Sequence, residues 1–388
     1  MGGEVAMATA LLIGAALLVS SFDRLGKLDP GFRAPTKVLT FRVTLPRPRY
    51  GPQVKRKVFY DALLTRLRAL PGVESAGAVL LRPLSGTVGW DYPFVMEGQQ
   101  ADDAARNPPS NFEAISPGYF PTMGVPVVAG RDFTAADRDG APLVAIINES
   151  AARKYFPDGQ AIGRRMKLGR TGANAPWLEI VGVVKDVRYR EWEATRLDLY
   201  VPVMQNAQHR SDFVLRVRQA DARRLVPEIR RAVAEVDKDQ PIGSVTTLDG
   251  LVSEALARPR FNAVLLGAFA LCAAALVVVG LFGVLSHLVA QRSQEIGIRM
   301  ALGSKRSGVL WMILAHGARV AMAGVMAGSL VALAVARVTA SLLYEVTWWH
   351  PAAYLGAAGV VLMFALLACL GPAVRASLVD PAVTLRQA

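Results

Sequence analysis

Charged and uncharged residues are separated along this chain. Most charges lie between positions 23 and 258, whereas no Asp, Glu, Lys or Arg occurs in 5–22, 261–291, 320–336 or 351–374. A helix needs about 20 apolar residues to cross a hydrocarbon core of about 30 Å, so uncharged runs of this length are typical of membrane spans. The pattern predicts an α-helical membrane protein with four transmembrane helices, one before and three after a large polar domain.

The uncharged runs also give the boundaries of the predicted segments. The first helix is predicted at residues 1–22, and it has no Lys or Arg before its apolar run and no small-x-small cleavage pattern after it. An uncleaved membrane helix is therefore favoured over a signal peptide. The polar domain is predicted over 23–258 and a second membrane region over 259–388. That region should contain helices at about 262–289, 309–337 and 351–374, a cytoplasmic segment at 290–308 and a cytoplasmic tail at 375–388.

The polar domain is predicted to contain both strands and helices. Short runs rich in β-branched and aromatic residues predict strands that begin near Val38, Leu143, Trp177, Leu199 and Asp212. Two segments, QVKRKVFYDALLTRLRAL and ADARRLVPEIRRAVAEV, space apolar residues three and four apart, as amphipathic helices do. The stretches RPLSGTVGW and RDGAPL predict turns. The expected fold of this domain is α+β.

Two predicted spans have unusual boundaries. One helix over 261–291 would be about 46 Å long, so part of it is expected to project from the membrane as a rod. The third uncharged run is bracketed by Arg319 and Arg337. Snorkelling of both side chains to opposite interfaces is favoured, with a functional arginine inside the membrane as the alternative. The apolar segment 308–318 is expected to lie at the interface before the span turns inward.

The short loops predict the orientation of the protein. The segment 290–308 contains four Lys or Arg and one Glu, and the tail adds Arg375 and Arg386. The connection 338–350 contains Glu345 and no Lys or Arg. Since short loops rich in Lys and Arg stay in the cytoplasm, segment 290–308 and both termini are expected there, with the large domain outside.

Small residues in the spans predict close helix packing. Gly324 and Gly328 are four residues apart, a spacing that lets helices approach each other in lipid. The two cysteines, Cys272 and Cys369, both fall within apolar spans. They are predicted to face lipid or to pack in the bundle, so no disulfide framework is indicated.

The composition and motifs disfavour nucleic-acid binding and catalysis. The net charge is +13, but Lys and Arg are spread along the large domain, which favours a basic surface beside anionic lipid. The sequence contains no G-x-x-x-x-G-K-[ST] or G-x-S-x-G motif, and its four histidines do not have metal-ligand spacing. We therefore expect no nucleic-acid partner, no metal or other cofactor in this chain, and no enzymatic activity of its own.

The charged segment after the second span resembles the cytoplasmic signature of MacB/FtsX-type ABC transporter permeases, roughly R-x-x-E-I-G-[IL]-R-x-A-[LI]-G-A. The matching residues are Arg292, Glu295, Ile296, Gly297, Ile298, Arg299, Ala301, Leu302 and Gly303, whereas Met300 and Ser304 differ. The stretches ISPGYFPTMGVPVVAGRDF and IVGVVKDVRYREW are similar to the family's MacB-like periplasmic core domain. The ending GPAVRASLVDPAVTLRQA is similar to the family's exit from its last helix.

This resemblance implies a bacterial inner-membrane protein with one helix before a periplasmic domain and three after it. It also implies a separate nucleotide-binding ATPase subunit that binds ATP and Mg, and a second permease half or a homodimer. A periplasmic adaptor or substrate protein is a further expected partner, besides membrane lipid. The opening residues resemble the start of the second half of a duplicated permease. The chain is thus expected to be either such a half or a piece of a longer protein.

The favoured hypothesis is mechanotransmission, in which closure of the ATPase displaces segment 290–308 and the second helix carries the displacement to the outer domain. Glu295 and Arg299 are four residues apart and can share one helix face, while Gly297 and Gly303 permit close approach or a turn. A loop that only sets topology is the simpler alternative for the segment. For the whole chain, the alternative is a non-transporting signalling or scaffold subunit or a truncated half-permease. Amphiphiles, peptides and lipoproteins are all within the family's range of cargo.

Overall fold

The chain folds into two compact units in a computed structural model, which describes residues 2–84, 89–170, 174–189, 196–218, 222–291, 306–340, 343–344 and 346–377. The first, here called the helical unit, comprises Met1–Leu28 and Leu256–Ala388. The second, here called the sheet unit, comprises Asp29–Ala255. The division follows the contrast between uncharged and charged sequence.

Four long helices supply the described part of the helical unit. They are α1 (Gly2–Lys27), α8 (Leu248–Gln291), α9 (Arg306–Val338) and α10 (Pro351–Ser377). All four are long and apolar enough to cross a membrane. The predicted arrangement of one such helix before the mixed domain and three after it is confirmed.

The helical unit packs through small apolar side chains. Its buried clusters combine Val5 and Ala8 of α1 with Ala321 of α9 and Ala365 of α10. Many larger apolar side chains point outward, including Phe261 and Leu276 of α8. Such exposure is ordinary for helices solvated by lipid, where apolar side chains gain little by leaving the lipid for the bundle.

Two helix boundaries differ from the sequence predictions. Residues 308–318 belong to the continuous helix α9 that begins at Arg306, so the expected turn between them and the span is absent there, and their position at the interface stays a prediction. No proline interrupts that stretch, so the backbone hydrogen bonds continue through it. The second predicted span lies within α8, which has 44 residues and begins at Leu248. Leu248 and Leu251 are buried among core residues of the sheet unit.

The sheet unit is organised around one mixed sheet, in which twelve strands are described. Its order is β12-β1-β11-β2-β5-β10-β7-β9-β8-β4, with β3 paired to β5 and β6 paired to β9. The strands are β1 (Val38–Thr44), β2 (Val73–Val79), β3 (Trp90–Tyr92), β4 (Phe94–Met96), β5 (Ser110–Ile115), β6 (Val127–Gly130), β7 (Val144–Asn148), β8 (Arg165–Leu168), β9 (Trp177–Val184), β10 (Asp198–Pro202), β11 (Arg210–Val217) and β12 (Ile242–Thr247).

Short helices connect these strands or cover them. They are α2 (Arg47–Tyr50), α3 (Gln53–Ala69), α4 (Ala101–Ala105), α5 (Tyr119–Met123), α6 (Glu149–Tyr155) and α7 (Val226–Val236), with 3-10 turns at Pro35–Lys37 and Ala222–Leu225. The two predicted amphipathic helices correspond to α3 and α7. Helix α3 buries Phe59, Leu63 and Leu67, which are spaced at four residues and therefore share one face.

The alternation of side chains along the strands separates three cores. On one face, Phe41 and Phe213 stack beneath α3 and α7, with ring centroids 5.4 Å apart. A second core lies farther along the same face and includes residues of α6. On the opposite face, Val214 and Tyr200 pack with α5 and the first turn of α8. Phe213 and Val214 are neighbours in β11 but belong to different cores, because successive side chains of a strand point to opposite faces.

The pairing of β8 with β9 brings two cations to one indole ring. Lys167 is opposite Trp177 in the antiparallel ladder. The Lys167 Nζ atom lies 5.2 Å from the centre of the Trp177 ring, and the Arg165 guanidinium carbon lies 5.7 Å from it. Both distances are within the range of cation–π attraction.

Candidate functional site

The residues predicted to meet an ATPase lie outside the part of the chain that the structure describes. They are Arg292, Glu295, Ile296, Gly297, Ile298, Arg299, Ala301, Leu302 and Gly303. The helices on either side are described, since α8 ends at Gln291 and α9 begins at Arg306. In the last turn of α8, the Nε2 atoms of His287 and Gln291 are 3.0 Å apart. The role of the segment stays a prediction.

Helices α1 and α9 come into close contact where α9 carries glycine. A Cβ atom added at Gly324 would lie 2.5 Å from the Val5 Cβ atom. One added at Gly328 would lie 2.7 Å from the Thr9 Cβ atom and would also collide with the Ala6 carbonyl oxygen. Both predicted packing residues are therefore at this helix contact, where no larger side chain fits without displacement.

Two further glycines of the helical unit occupy close contacts that the sequence analysis did not predict. A Cβ atom at Gly317 would collide with the sulfur of Cys369, which is buried. A Cβ atom at Gly371 would lie 2.9 Å from the ring of Phe282. Cys272, by contrast, is exposed. Gly317 lies four residues before Ala321, which is a small-residue spacing of the same kind, whereas the residues four positions from Gly371 are Leu367 and Arg375.

The two arginines that bracket the third span are both exposed on α9. Arg319 and Arg337 are 18 residues apart, which corresponds to about 27 Å along a helix. That length is close to the thickness of a hydrocarbon core, about 30 Å. The geometry suits two interface anchors, and their role stays a prediction.

Polar contacts in the helical unit gather near the end of α1. The Tyr344 backbone N–H donates to the Ser21 hydroxyl at 2.9 Å. The Arg24 Nη2 atom and the His350 Nε2 atom are 3.4 Å apart. These contacts hold the connection between α9 and α10 against the end of α1. The first of them satisfies the backbone N–H of Tyr344.

The sheet unit buries several charged groups. Asp212 is fully buried and accepts two hydrogen bonds from Arg42, from Nε to Oδ1 at 2.9 Å and from Nη2 to Oδ2 at 3.1 Å. Asp198 is also buried, and its oxygens accept from the amides of Asn111 and Asn148 at 3.1 and 3.5 Å. Each carboxylate is thus held by named donors, as buried charges in proteins generally are.

Glu113 is a buried carboxyl group with only one of its two oxygens hydrogen-bonded among the described residues. Its Oε2 atom accepts from the Leu81 backbone N–H at 2.8 Å, while its buried Oε1 atom has no hydrogen-bond partner among the described residues. Burial raises the pKa of Glu113 well above its usual range, against the opposing effects of the Leu81 N–H and the nearby Asn111 amide. Burial therefore favours the neutral acid over the carboxylate, relative to a Glu in water.

Three buried tyrosines lie within electrostatic reach of Glu113. The hydroxyl oxygens of Tyr119 and Tyr189 are 3.0 Å apart, and Tyr200 is opposite Glu113 in the parallel pairing of β10 with β5. Burial raises the pKa of all three phenols, and the charge of Glu113 adds to the effect. This cluster therefore stays protonated and packs as part of a core. Among the described residues, no three His, Cys, Asp or Glu are placed to hold a metal ion.

Two family models together match most of the chain. Residues 5–235 match the MacB-like periplasmic core domain, and residues 267–380 match the FtsX-like permease C-terminal domain. The first match alone covers more than half of the chain. The chain belongs to the MacB/FtsX-type ABC transporter permeases. The resemblance seen in its signature segment is thereby confirmed.

Individual relatives of this MacB/FtsX permease are distant. The chain is 26% identical over 227 residues to the macrolide export ATP-binding/permease protein MacB of Chromobacterium violaceum, covering 56% of this chain and 34% of the relative. It is 24% identical over 285 residues to the uncharacterized ABC transporter permease YvrN of Bacillus subtilis, covering 69% and 68%. The periplasmic region of MacB from Actinobacillus actinomycetemcomitans is similar at 14% identity with a TM-score of 0.40, over 59% of this chain and 95% of that one.

Family membership fixes the location of the two units. This MacB/FtsX permease is a multi-pass protein of the bacterial inner membrane, and its large domain is periplasmic. It is the permease component of an ABC transporter. The chain spans about a third of the length of the MacB relative from Chromobacterium violaceum.

The buried charged groups of the permease's periplasmic domain were not predicted from the sequence. Asp212 and Arg42 are 170 residues apart, and Glu113 and Leu81 are 32 apart, so nothing local connects them. A usable signal was that Glu113 lies between Phe112 and Ala114 and that Asp212 directly precedes the apolar run FVL. A charge beside buried apolar residues of a strand requires a specific partner.

Proposed function

We propose that this permease couples ATP hydrolysis by a separate nucleotide-binding subunit to a conformational change of the periplasmic domain. Segment 290–308 is the proposed contact with that subunit, with Glu295 and Arg299 on one helix face. ATP and Mg are bound by the partner in this proposal, since the chain has no phosphate-binding loop motif. A second permease half, identical or related, completes the proposed transporter.

The observation that carries the proposal is the continuity of α8. The helix begins at Leu248, which is buried in the sheet unit, and continues without a break to Gln291, next to the signature segment. Each turn of a helix is held by backbone hydrogen bonds, so an axial displacement passes along it, whereas a loop would absorb the displacement in backbone rotations. Pro259 removes one of these bonds without ending the helix.

The cargo is proposed at the level of chemical class. The relatives include a macrolide export protein and, in Pseudomonas aeruginosa, a pyoverdine export protein. We propose an amphiphilic compound, a peptide or a lipoprotein that is handled on the periplasmic side. The apolar spans fit this view, because the charges that would line a polar pathway are scarce in them.

The contact with the ATPase is tested by Glu295→Lys in proteoliposomes that contain the permease and its ATPase. Loss of the contact should lower the permease-dependent ATPase activity by at least about fivefold, the lower end of ordinary coupling free energies. Glu235→Lys is the matched control, because Glu235 is exposed on α7 of the sheet unit and undergoes the same charge reversal. Equal ATPase activity and equal co-purification for the two variants would exclude the proposed contact.

Transmission through α8 is tested separately by changing its stiffness. Arg258 and Arg260 are exposed on either side of Pro259. Arg258→Gly with Arg260→Gly weakens the helix by about 1 kcal/mol per residue, whereas Arg258→Ala with Arg260→Ala removes the same charges and keeps the helix. The glycine variant should hydrolyse ATP without the ATP-dependent change in hydrogen exchange of the sheet unit. Identical behaviour of both variants would contradict transmission through this helix.

A further inference from the structure

Three arginines of the sheet unit lie around one buried carboxylate. Arg42 on β1 is directly opposite Asp212 on β11, and Arg210 is opposite Thr44 two positions away in the same ladder. Side chains two residues apart on a strand share a face, so Arg42, Arg210 and Asp212 are on one side of the sheet. Arg82 follows β2 and joins them, since its backbone N–H donates to the Asp212 Oδ2 atom at 3.2 Å.

Asp212 is fully occupied by Arg42 and the Arg82 backbone. Arg42 binds both of its oxygens with the fork geometry of a bidentate pair. The Nη1 atom of Arg82 is 3.9 Å from the Asp212 Oδ1 atom, too far for a hydrogen bond. The single carboxylate therefore forms its hydrogen-bonded pair with Arg42 and reaches the Arg82 guanidinium only at ion-pair distance, while no carboxylate of the described residues forms an ion pair with Arg210.

The guanidinium groups of Arg82 and Arg210 have unused donors. The Arg82 side chain is only 9% exposed, and its Nη1 atom donates to the Ser244 carbonyl at 2.7 Å. Its Nε atom is buried, as is the Nε atom of the half-buried Arg210, and neither has an acceptor among the described residues. Leaving a buried donor unsatisfied costs about 1–3 kcal/mol, and more for a charged group.

The backbone around Arg82 is held in an uncommon conformation. Ser244, whose carbonyl accepts from Arg82, has a φ of 50°, which is unfavourable for a residue with a Cβ atom. The ladder of β1 with β12 is irregular between Thr40 and Arg42, next to this point. Strained backbone of this kind is common where a protein holds a group in place for binding.

Three arginines in the cluster face two carboxylates, Asp212 and Glu254, which leaves one positive charge in excess. Burial lowers the pKa of Arg82, Asp212 and Glu254 oppose that change, and the charges of Arg42 and Arg210 add to it. Burial likewise lowers the pKa of Arg210, and Arg42 adds to that effect. An added anion would relieve this repulsion and accept the unused hydrogen bonds at the same time.

We propose that Arg82 and Arg210 form a binding site for an oxyanion, a phosphate or carboxylate group, on the periplasmic domain. Guanidinium donors match the spacing of oxygens in both groups. Arg42 stays engaged with Asp212 and fixes the position of the site. The ligand enters from the side where Arg42 and Arg210 are partly exposed, and it supplies acceptors for the two buried Nε atoms. The site does not depend on whether an ATPase drives the chain.

The site is tested with inorganic phosphate on the full-length permease in nanodiscs of neutral lipid. Calorimetric titration against a chloride buffer of equal ionic strength should show saturable binding to the wild-type protein. Arg210→Gln should weaken it by at least about tenfold, the effect of losing one charge-assisted contact of about 1.4 kcal/mol. Arg230→Gln is the matched control, because Arg230 is exposed on α7, against the opposite face of the sheet, and should bind as wild type.

Two further arms identify the source of the oxyanion. Titration with acetate tests a carboxylate, and nanodiscs containing phosphatidylglycerol test a lipid headgroup by competition with phosphate. Binding of either probe that is lost in Arg210→Gln but kept in Arg230→Gln supports the site and names its ligand. Absence of saturable binding by all three probes to the wild-type protein, or equal loss in both variants, would overturn the proposal.

Discussion

In the helical unit the helices come into close contact at glycines, whereas the interior of the sheet unit contains aromatic rings and paired charges among its aliphatic side chains. Gly324 and Gly328 let α9 touch α1, and Ser21 makes one of the polar contacts described for this unit. In the sheet unit, Phe41 stacks on Phe213 on the face of the sheet opposite the buried charge of Asp212. The two units therefore depend on different forces.

The difference follows from the solvent of each unit. Apolar side chains gain little by leaving lipid, so helices in a membrane are held by close van der Waals contact, which small residues allow. A domain in water gains about 25 cal/mol for each Å² of apolar surface that it buries. That gain permits the sheet unit to bury charged groups as well, provided that they are paired.

The largest expected effect comes from unpairing the buried charge of the sheet unit. Asp212→Asn keeps the shape of the side chain but leaves Arg42 and Arg82 without their carboxylate, which should lower the free energy of unfolding by about 3–5 kcal/mol. The measurement is hydrogen exchange of β1 and β11 in the full-length protein. Asp139→Asn is the control, since Asp139 is 63% exposed and its pair with Lys57 should contribute at most about 1 kcal/mol. Equal changes in the two variants would refute the special role of Asp212.

An intermediate effect is expected from filling the helix contact. Gly328→Ala should destabilise the helical unit by about 1–3 kcal/mol, because the new methyl group collides with α1. Gly267→Ala on α8 is the control, as a Cβ atom there meets nothing within 4 Å. It should be neutral or stabilising by up to about 1 kcal/mol through helix propensity. Thermal unfolding in detergent compares the two, and the same sign for both would show that the close contact is unimportant.

The smallest effect is expected from Glu113→Gln, and it should depend on pH. The folded pKa of Glu113 is raised above its unfolded value near 4.5. The contribution of the neutral Glu113 to the stability of the sheet unit is therefore complete below pH 4.5 and is lost as the pH rises through the folded pKa. Gln imitates the neutral acid, so the variant should gain on the order of 1 kcal/mol relative to wild type between pH 4 and pH 8. Unfolding midpoints measured across this range provide the test. A difference that does not vary with pH would mean that Glu113 is ionised in the folded protein.

The sequence predicts those parts of the fold that have a local pattern. The four long helices follow from uncharged runs, and β1, β7, β9, β10 and β11 follow from β-branched stretches. Strand β2 was missed because its sequence VESAGAV includes glycine, which is needed there since a Cβ atom at Gly77 would lie 2.7 Å from the Tyr119 Cα atom. Strand β5 was missed because Asn111 and Glu113 are polar, although both are buried.

The candidate sites were predictable only where the motif is contiguous. The signature from Arg292 to Gly303 was recognised by its resemblance to a family, and it lies outside the described residues. The cluster of Arg42, Arg82 and Arg210 has no such pattern, because it is assembled by the register of β1 with β11 and by the end of β2. Register is set by packing over the whole sheet, and no short stretch of sequence encodes it.

The stacking of Arg165 and Lys167 near Trp177 gives the sheet unit an optical reporter. The emission of an indole depends on nearby charge and on contact with water, and Trp177 is 39% exposed between two cations. Any ligand or partner that displaces either cation would change its fluorescence. The chain has six tryptophans, so replacing the other five with phenylalanine would leave one native probe on the ladder of β8 and β9, with no dye attached.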